Sequence, residues 1–252
     1  MSLSKIFPFE TALKEGSIDI WLLHRGKSQQ HLDMLYSLLS EGEKRHNPNF
    51  MKKKHRETYV LTRGILRLLI SSYLLKRPEC ISLCYGNKGK PHIDSEENQT
   101  GLEFNLSHSG DYILFAFSRG KSVGVDIQKR KELDNMETLM KYVFPRKMLS
   151  RAGELHEGES ADSFFRFWTR LEALVKATGL GLLAYKKEIL PDFSGPSPCT
   201  CRFMGENWSI HDLLYNDAYS AAVCAKGAPA DLNSIVMNDH LIKNILRMAN
   251  KL

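Results

Sequence analysis

No apolar run in this 252-residue chain is long enough to span a bilayer; the longest, Ile65 to Leu75, is broken by Arg67. The opening residues, Met1-Ser2-Leu3-Ser4-Lys5 leading into Pro8 and Glu10, lack the uninterrupted apolar stretch of a secretory signal. Cysteine is scarce. Cys80, Cys84, Cys199, Cys201 and Cys224 form an odd set in no metal-ligand spacing, which argues against a disulfide-stapled or zinc-built module. Cys199 and Cys201 would share a strand face, but no nearby histidine completes a site. Neither sign of charge dominates: 35 Lys and Arg against 29 Asp and Glu leave +6, a modest excess that favours anionic partners. A cytoplasmic protein with reduced thiols and no membrane partner is expected.

What is present is enough chain for a sizeable core, since about 70% of the unfolded surface can be buried at this length. From Arg56 to Leu75, apolar residues at Tyr59, Leu61, Ile65, Leu66, Leu69 and Tyr73 recur at helical spacing, predicting a long half-buried helix that ends near Pro78. On that helix Arg63 and Arg67 read as solvent-facing charge. Strands are predicted at Ile81 to Tyr85, Leu102 to Leu106 and Tyr112 to Phe117, with Asn105 to Asp111 as the loop between the last two. A further strand-like run covers Ser122 to Ile127, and Pro145 reads as a helix start. A second long helix runs from a cap near Ser160 or Asp162 to Gly179, burying Phe164, Phe165, Phe167, Trp168, Leu171, Leu174 and Val175. Two strands near Trp208 to Leu214 and Ala218 to Cys224 follow, then an amphipathic stretch at Ile235 to Met248 that reads as a peripheral helix.

Long helix, connection and paired strands thus occur twice. The expected fold is α+β, with two similar halves, each a long helix on a small mainly antiparallel sheet, and a C-terminal helical tail. Residues 1–120, 121–228 and 229–252 are the expected divisions. A monomer is expected, because two halves in one chain already make the junction, and such junctions favour ligands.

Two carboxylates stand out against this frame. Asp126 lies in an apolar strand run, where a lone acid is costly unless paired, capped or bound to a cation. Glu172 lies on the second helix with Lys176 four residues on, so the two share a face. Taken singly, Asp126 reads as a strand-end cap, and Glu172 with Lys176 as a surface ion pair worth about 0.3–0.5 kcal/mol. Together, two acids and an ammonium suit magnesium-assisted transfer of a phosphate-bearing group. The Ser107-His108-Ser109-Gly110 turn offers hydroxyls, an imidazole and open backbone N–H groups, all useful phosphate donors.

Gly124-Val125-Asp126, then Trp168-Thr169 with Glu172-Ala173 and Lys176-Ala177, joined to Gly89-Lys90-Pro91 and Phe104-Asn105-Leu106-Ser107-His108-Ser109, closely resemble the 4'-phosphopantetheinyl transferases of the surfactin-activating type. The likeness runs in order and spacing from Glu41 to Leu182. It implies a holo-[acyl-carrier-protein] synthase activity: magnesium-dependent transfer of 4'-phosphopantetheine from coenzyme A to a serine of an acyl or peptidyl carrier protein, releasing adenosine 3',5'-bisphosphate. The resemblance gives Asp126 and Glu172 the metal, with Gln128 as a third ligand or water holder. Glu172 or Lys176 would take the serine proton, and Asp126 would also meet the coenzyme diphosphate. Arg63, Lys88, Lys90, Pro91, Ser107 and His108 would bind the coenzyme.

The chain departs from the family pattern at Gln128, where relatives often carry a third acid, and at Leu171, where they usually carry lysine. Leu171 fits the buried stripe and Arg170 points elsewhere, so Arg170 is not taken as a replacement. The Phe144-Pro145-Arg146-Lys147-Met148 segment also differs, which bears on carrier preference. These departures motivate one competing reading, a coenzyme A or carrier-protein binder with weakened catalysis. The Lys52-Lys53-Lys54-His55-Arg56 cluster lacks aromatic interleaving or a recognised motif, so no nucleic-acid partner is expected.

Overall fold

In the computed structural model the described residues are 13–46, 52–86, 90–132, 134, 136–146, 148, 160–181, 190–228 and 230–252. Lys88 and the segments 149–159 and 182–189 lie outside them. The chain enters on β1 (Ser17–His24), whose apolar residues point to both faces: Trp21 and Leu23 to one core, Ile18, Ile20 and Leu22 to another. A strand so patterned belongs in the middle of a sheet covered on both sides. β1 indeed lies between β5 (Tyr112–Arg119), antiparallel, and β10 (Asp231–Met237), parallel. β4 (Leu102–Ser109) completes this first sheet beyond β5.

Helix α1 (Leu32–Ser37) and helix α2 (Glu41–His46) lead to α3 (Lys53–Leu74), which covers the outer face of the first sheet. The helix stops with Leu75 in the left-handed region (φ 50°), ahead of Pro78. Gly64 allows α1 to seat on α3, since a Cβ there would lie 2.6 Å from Cβ of Leu35. The short hairpin β2 (Leu83–Tyr85) and β3 (Pro91–Ile93) follows.

The second sheet is antiparallel throughout, in the order β6 (Val123–Lys129), β9 (Tyr219–Lys226), β8 (Glu206–Asp212) and β7 (Cys199–Phe203). A short helix, α4 (Met136–Val143), precedes α5 (Ser160–Thr178), which covers the outer face of this sheet. Helix α5 ends where Gly179 takes φ 73° and its N–H bonds to the carbonyl of Val175. Between the sheets, Ile18, Ile20, Leu22, Leu114 and Ala116 of the first meet Val123, Val125, Ile127, Val223 and Ala225 of the second. The architecture is therefore two sheet-and-helix halves stacked sheet to sheet, with the helices outermost and a C-terminal helix α6 (Asp239–Ala249).

Four expectations need correction. Asn105 to Ser109 is strand rather than loop; only Gly110 and Asp111 make the turn, braced by the Asp111 N–H donating to the Tyr219 hydroxyl at 3.0 Å. Arg67 does not face solvent: it is 1% exposed, donating to Glu43 at 2.6 Å and to the carbonyls of Pro78 and Ile81. Residues 235–237 belong to β10, not to a helix. Helix α6 is not peripheral, because Ile242, Ile245 and Leu246 are buried in the first core. An apolar stripe shows which side of a helix wants burial, but not that a distant strand will provide the cover.

β6 and α5 approach each other closely at Gly124. A Cβ on Gly124 would lie 2.1 Å from the Ala173 carbonyl oxygen and 2.3 Å from the Ala177 amide nitrogen, both backbone atoms. We predict that Gly124→Ala destabilises the protein by about 3 kcal/mol, the upper end for overpacking, measured by urea denaturation. A loss below about 0.5 kcal/mol would contradict this packing.

Candidate active site

Gly124 is what lets the two acid-bearing elements meet. With α5 drawn onto β6, Asp126 meets the Glu172–Lys176 face of the helix. Asp126 is 1% exposed, so its carboxylate must find donors. Its Oδ1 accepts from Lys176 Nζ at 2.7 Å and from Ser107 Oγ at 2.7 Å, and its Oδ2 receives a longer 3.4 Å contact from Gln128 Nε2. Lys176 also donates to the Val125 carbonyl at 3.2 Å.

Glu172, 7% exposed, stands beside this pair, and Lys176 is bonded to Asp126 rather than to it. Burial, and next the Asp126 charge, push its carboxyl up to about 7, while Lys176 opposes the shift. A buried acid raised by a neighbouring acid marks a place that would gain from a cation. Among the described residues no cluster of three or more His, Cys, Asp and Glu side chains could hold a metal ion. The donor set here is two carboxylates and the Gln128 amide, all hard oxygen donors that fit Mg²⁺ when phosphate oxygens and water complete the shell.

The coenzyme-binding candidates are spread more widely. His108 ends β4 as an exposed residue, yet desolvation of its ring leads a downward shift of its pKa, reinforced by the Arg25 and Lys176 charges. The neutral ring is thus favoured until an anion arrives. Lys90 turns inward, with Nζ 3.3 Å from the Val123 carbonyl, and its pKa is lowered first by burial against the opposing pull of Glu103. Pro91 opens β3, half-buried. Ser107 is buried with its hydroxyl given to Asp126.

Arg63 lines a cavity of about 510 Å³ with Ser40, Glu43, His46, Tyr59 and Tyr85. Its guanidinium lies 5.7 Å from the Tyr59 ring centre and 5.4 Å from that of Tyr85. Its Nη1 and the neighbouring Glu43 Oε1 are buried without a hydrogen-bond partner. Buried polar atoms left without a partner are costly in the free protein.

Two structural roles were not visible in sequence. Arg170 is fully buried and grips Asp212 with two bonds, of 2.6 and 2.5 Å, while its Nη1 donates to the Phe193 and Gly195 carbonyls. It ties α5 to the end of β8. Leu171 is wholly buried in the second core, as the stripe predicts. Asn105 was also missed; its Oδ1 accepts from the Val125 N–H at 3.1 Å, and only knowing that β4 and β6 lie edge to edge reveals it.

Comparison with known proteins gives two matches of one kind. The family model described as 4'-phosphopantetheinyl transferase, N-terminal, matches residues 26–119, and the one described as 4'-phosphopantetheinyl transferase superfamily matches residues 122–224. The boundary falls at the turn between β5 and β6. The 4'-phosphopantetheinyl transferase HetI of Nostoc sp. is 29% identical over 220 residues, covering 87% of this chain and 92% of that protein. The 4'-phosphopantetheinyl transferase AcpT of Escherichia coli K12 is 38% identical over 113 residues, 45% of this chain and 55% of its own length. The L-aminoadipate-semialdehyde dehydrogenase-phosphopantetheinyl transferase of Mus musculus is 30% identical over 148 residues, 56% and 48% respectively.

The raised Glu172 carboxyl has a consequence for stability. Its folded value, about 7, lies above the ordinary 4.5, so its contribution is fully present below about pH 4.5 and is lost as pH rises through 7. The size is on the order of 3 kcal/mol. In chelator-treated protein, Glu172→Gln should therefore gain stability relative to wild type between pH 5 and pH 8. Parallel pH profiles of urea unfolding for the two proteins would contradict the burial assigned to this carboxyl.

Proposed function

The chain belongs to the 4'-phosphopantetheinyl transferase superfamily, and from that premise we propose that it moves 4'-phosphopantetheine from coenzyme A onto a carrier-protein serine, as a two-halved enzyme of the surfactin-activating kind. The observation that carries this reading is the meeting of Asp126 on β6 with Glu172 and Lys176 on α5: Lys176 bonds Asp126 at 2.7 Å, and both carboxyl groups are buried.

Asp126 and Glu172, with the Gln128 amide, would hold Mg²⁺. When bound, the cation supplies charge neutralisation for the coenzyme diphosphate. The chain's own residues do the rest. Arg63, which lines the cavity beside α3, would bind a phosphate at the nucleotide end of the coenzyme, and Tyr59 and Tyr85 wall the same cavity. His108 on β4, and Lys90 and Pro91 at the start of β3, would add contacts to the coenzyme, as would Lys88. Lys176 is placed to meet the negative charge that develops on the transferred phosphate. Glu172 takes the proton of the attacking serine: it is a carboxylate beside the pair, while the Lys176 ammonium is engaged by Asp126 and has no lone pair to accept a proton. The products are a phosphopantetheinylated serine and adenosine 3',5'-bisphosphate.

The competing reading, a binder with weakened chemistry, draws on Gln128 and Leu171. Leu171 lies in the core, away from the acids, and so lends it no support. The modest excess of basic residues suits an acidic carrier protein.

Purified protein mixed with coenzyme A, Mg²⁺ and a panel of acyl and peptidyl carrier proteins should add one phosphopantetheine mass to a carrier serine. No adduct on any carrier would overturn the proposal. Asp126→Ala should lower turnover by about 100-fold or more. Arg63→Ala should raise KM for coenzyme A about tenfold with kcat little changed, the mark of a lost binding contact. An unchanged KM would remove Arg63 from the coenzyme site.

A further inference from the structure

β4 and β6 are edge strands of different sheets, and they are joined by a ladder in which the side chains of one strand replace backbone acceptors. Asn105 Oδ1 accepts from Val125 N at 3.1 Å, Ser107 Oγ from Ile127 N at 3.4 Å, and Ser109 Oγ from Lys129 N at 3.0 Å. Each pair is 20 residues apart in sequence. The period-2 alternation of a strand puts all three side chains on one side of β4, and the amides they meet are those that β6 leaves unpaired at its edge.

Both serines repeat a second bond. Ser107, having accepted from residue 127, donates its hydroxyl hydrogen to Asp126 Oδ1 at 2.7 Å; Ser109, having accepted from residue 129, donates to Gln128 Oε1 at 3.4 Å. A hydroxyl has one hydrogen, and the Ser107 hydrogen is committed inside the seam, pointing at a carboxylate rather than outward at a phosphate. The two side chains so held, at 126 and 128, are the β6 members of the oxygen-donor set.

We propose that Ser107 is a positioning residue for the metal-binding carboxylate: it fixes Asp126 with Oδ1 engaged and Oδ2 turned to the cation, while Ser109 holds Gln128 by a longer contact to its single amide oxygen. This rests on the reading of Asp126 and Glu172 as the Mg²⁺ ligands. It reassigns Ser107 from the coenzyme-binding set to the support behind the metal. His108, between the two serines in sequence, keeps the coenzyme contact.

The test uses Mn²⁺ titrated into the whole protein and followed by electron paramagnetic resonance, alongside coenzyme A binding measured by calorimetry with chelator present. Ser107→Ala should weaken Mn²⁺ binding about tenfold, the lower range for removing a partner of a ligating carboxylate. Its affinity for coenzyme A without metal should stay within about twofold of wild type. Ser107→Thr, which keeps the hydroxyl, should restore Mn²⁺ binding, and a matching melting temperature for Ser107→Thr and wild type shows that the fold is intact. Ser109→Ala should shift Mn²⁺ binding less than Ser107→Ala.

The opposite pattern, normal Mn²⁺ binding in Ser107→Ala with weakened metal-free coenzyme A binding, would return Ser107 to the phosphate site and overturn the proposal. Failure of Ser107→Thr to recover the metal affinity would also overturn it. If the wild type itself binds no Mn²⁺, the metal reading of Asp126 and Glu172 fails, and the proposal with it. If the wild type binds Mn²⁺ and Ser107→Ala binds it equally, the proposal alone fails.

Discussion

A carboxylate that is almost wholly shielded from water has to be met by donors, and at Asp126 they come from three elements: Lys176 on α5, Ser107 on β4 and Gln128 on β6 itself. Satisfying that one group fixes where α5 lies on the second sheet and where the first sheet meets the second. Glu172 is then carried into the same volume by its place one turn before Lys176. Its carboxyl is held near neutrality by burial and by Asp126, so the pocket stores an unfavourable arrangement that a divalent cation or a proton relieves. Under the proposed function, stability and chemistry oppose each other here.

Two further buried charges tie the outer helices to their surroundings. Arg170 anchors the middle of α5 to Asp212 and to the carbonyls of Phe193 and Gly195, which opposes sliding of the helix along the sheet. Arg67 performs the corresponding task in the first half, linking α3 to Glu43 and to the carbonyls of Pro78 and Ile81. Each is a charge removed from water and satisfied by several acceptors, the condition under which such burial is tolerated. The two halves thus share a device as well as an outline: a long outer helix pinned through one internal arginine.

Sequence periodicity revealed the long helices, most of the central strands and the acids themselves, because each of those rests on local pattern. The stripe around Leu171 placed that residue in the core correctly. What stayed hidden depends on long-range pairing. The parallel match of β1 with β10 joins segments more than 200 residues apart, and no local signal in Asp231–Met237 announces it. Arg67 reads as surface charge until Glu43 is brought against it. Asn105 to Ser109 reads as a loop because its polar residues suit a turn; those same residues are strand side chains that serve a neighbouring strand's amides. Pattern shows what a segment prefers, and the partner decides which preference is met.

The proposed transfer chemistry requires one cation shared between Asp126 and Glu172. The most direct measurement is a crystal structure with coenzyme A and Mn²⁺ bound, read from the anomalous signal of the metal. The predicted result is a single peak about 2.1 Å from oxygens of both carboxylates and of the coenzyme diphosphate. A peak bound elsewhere, or a coenzyme diphosphate seated away from those two side chains, would contradict it.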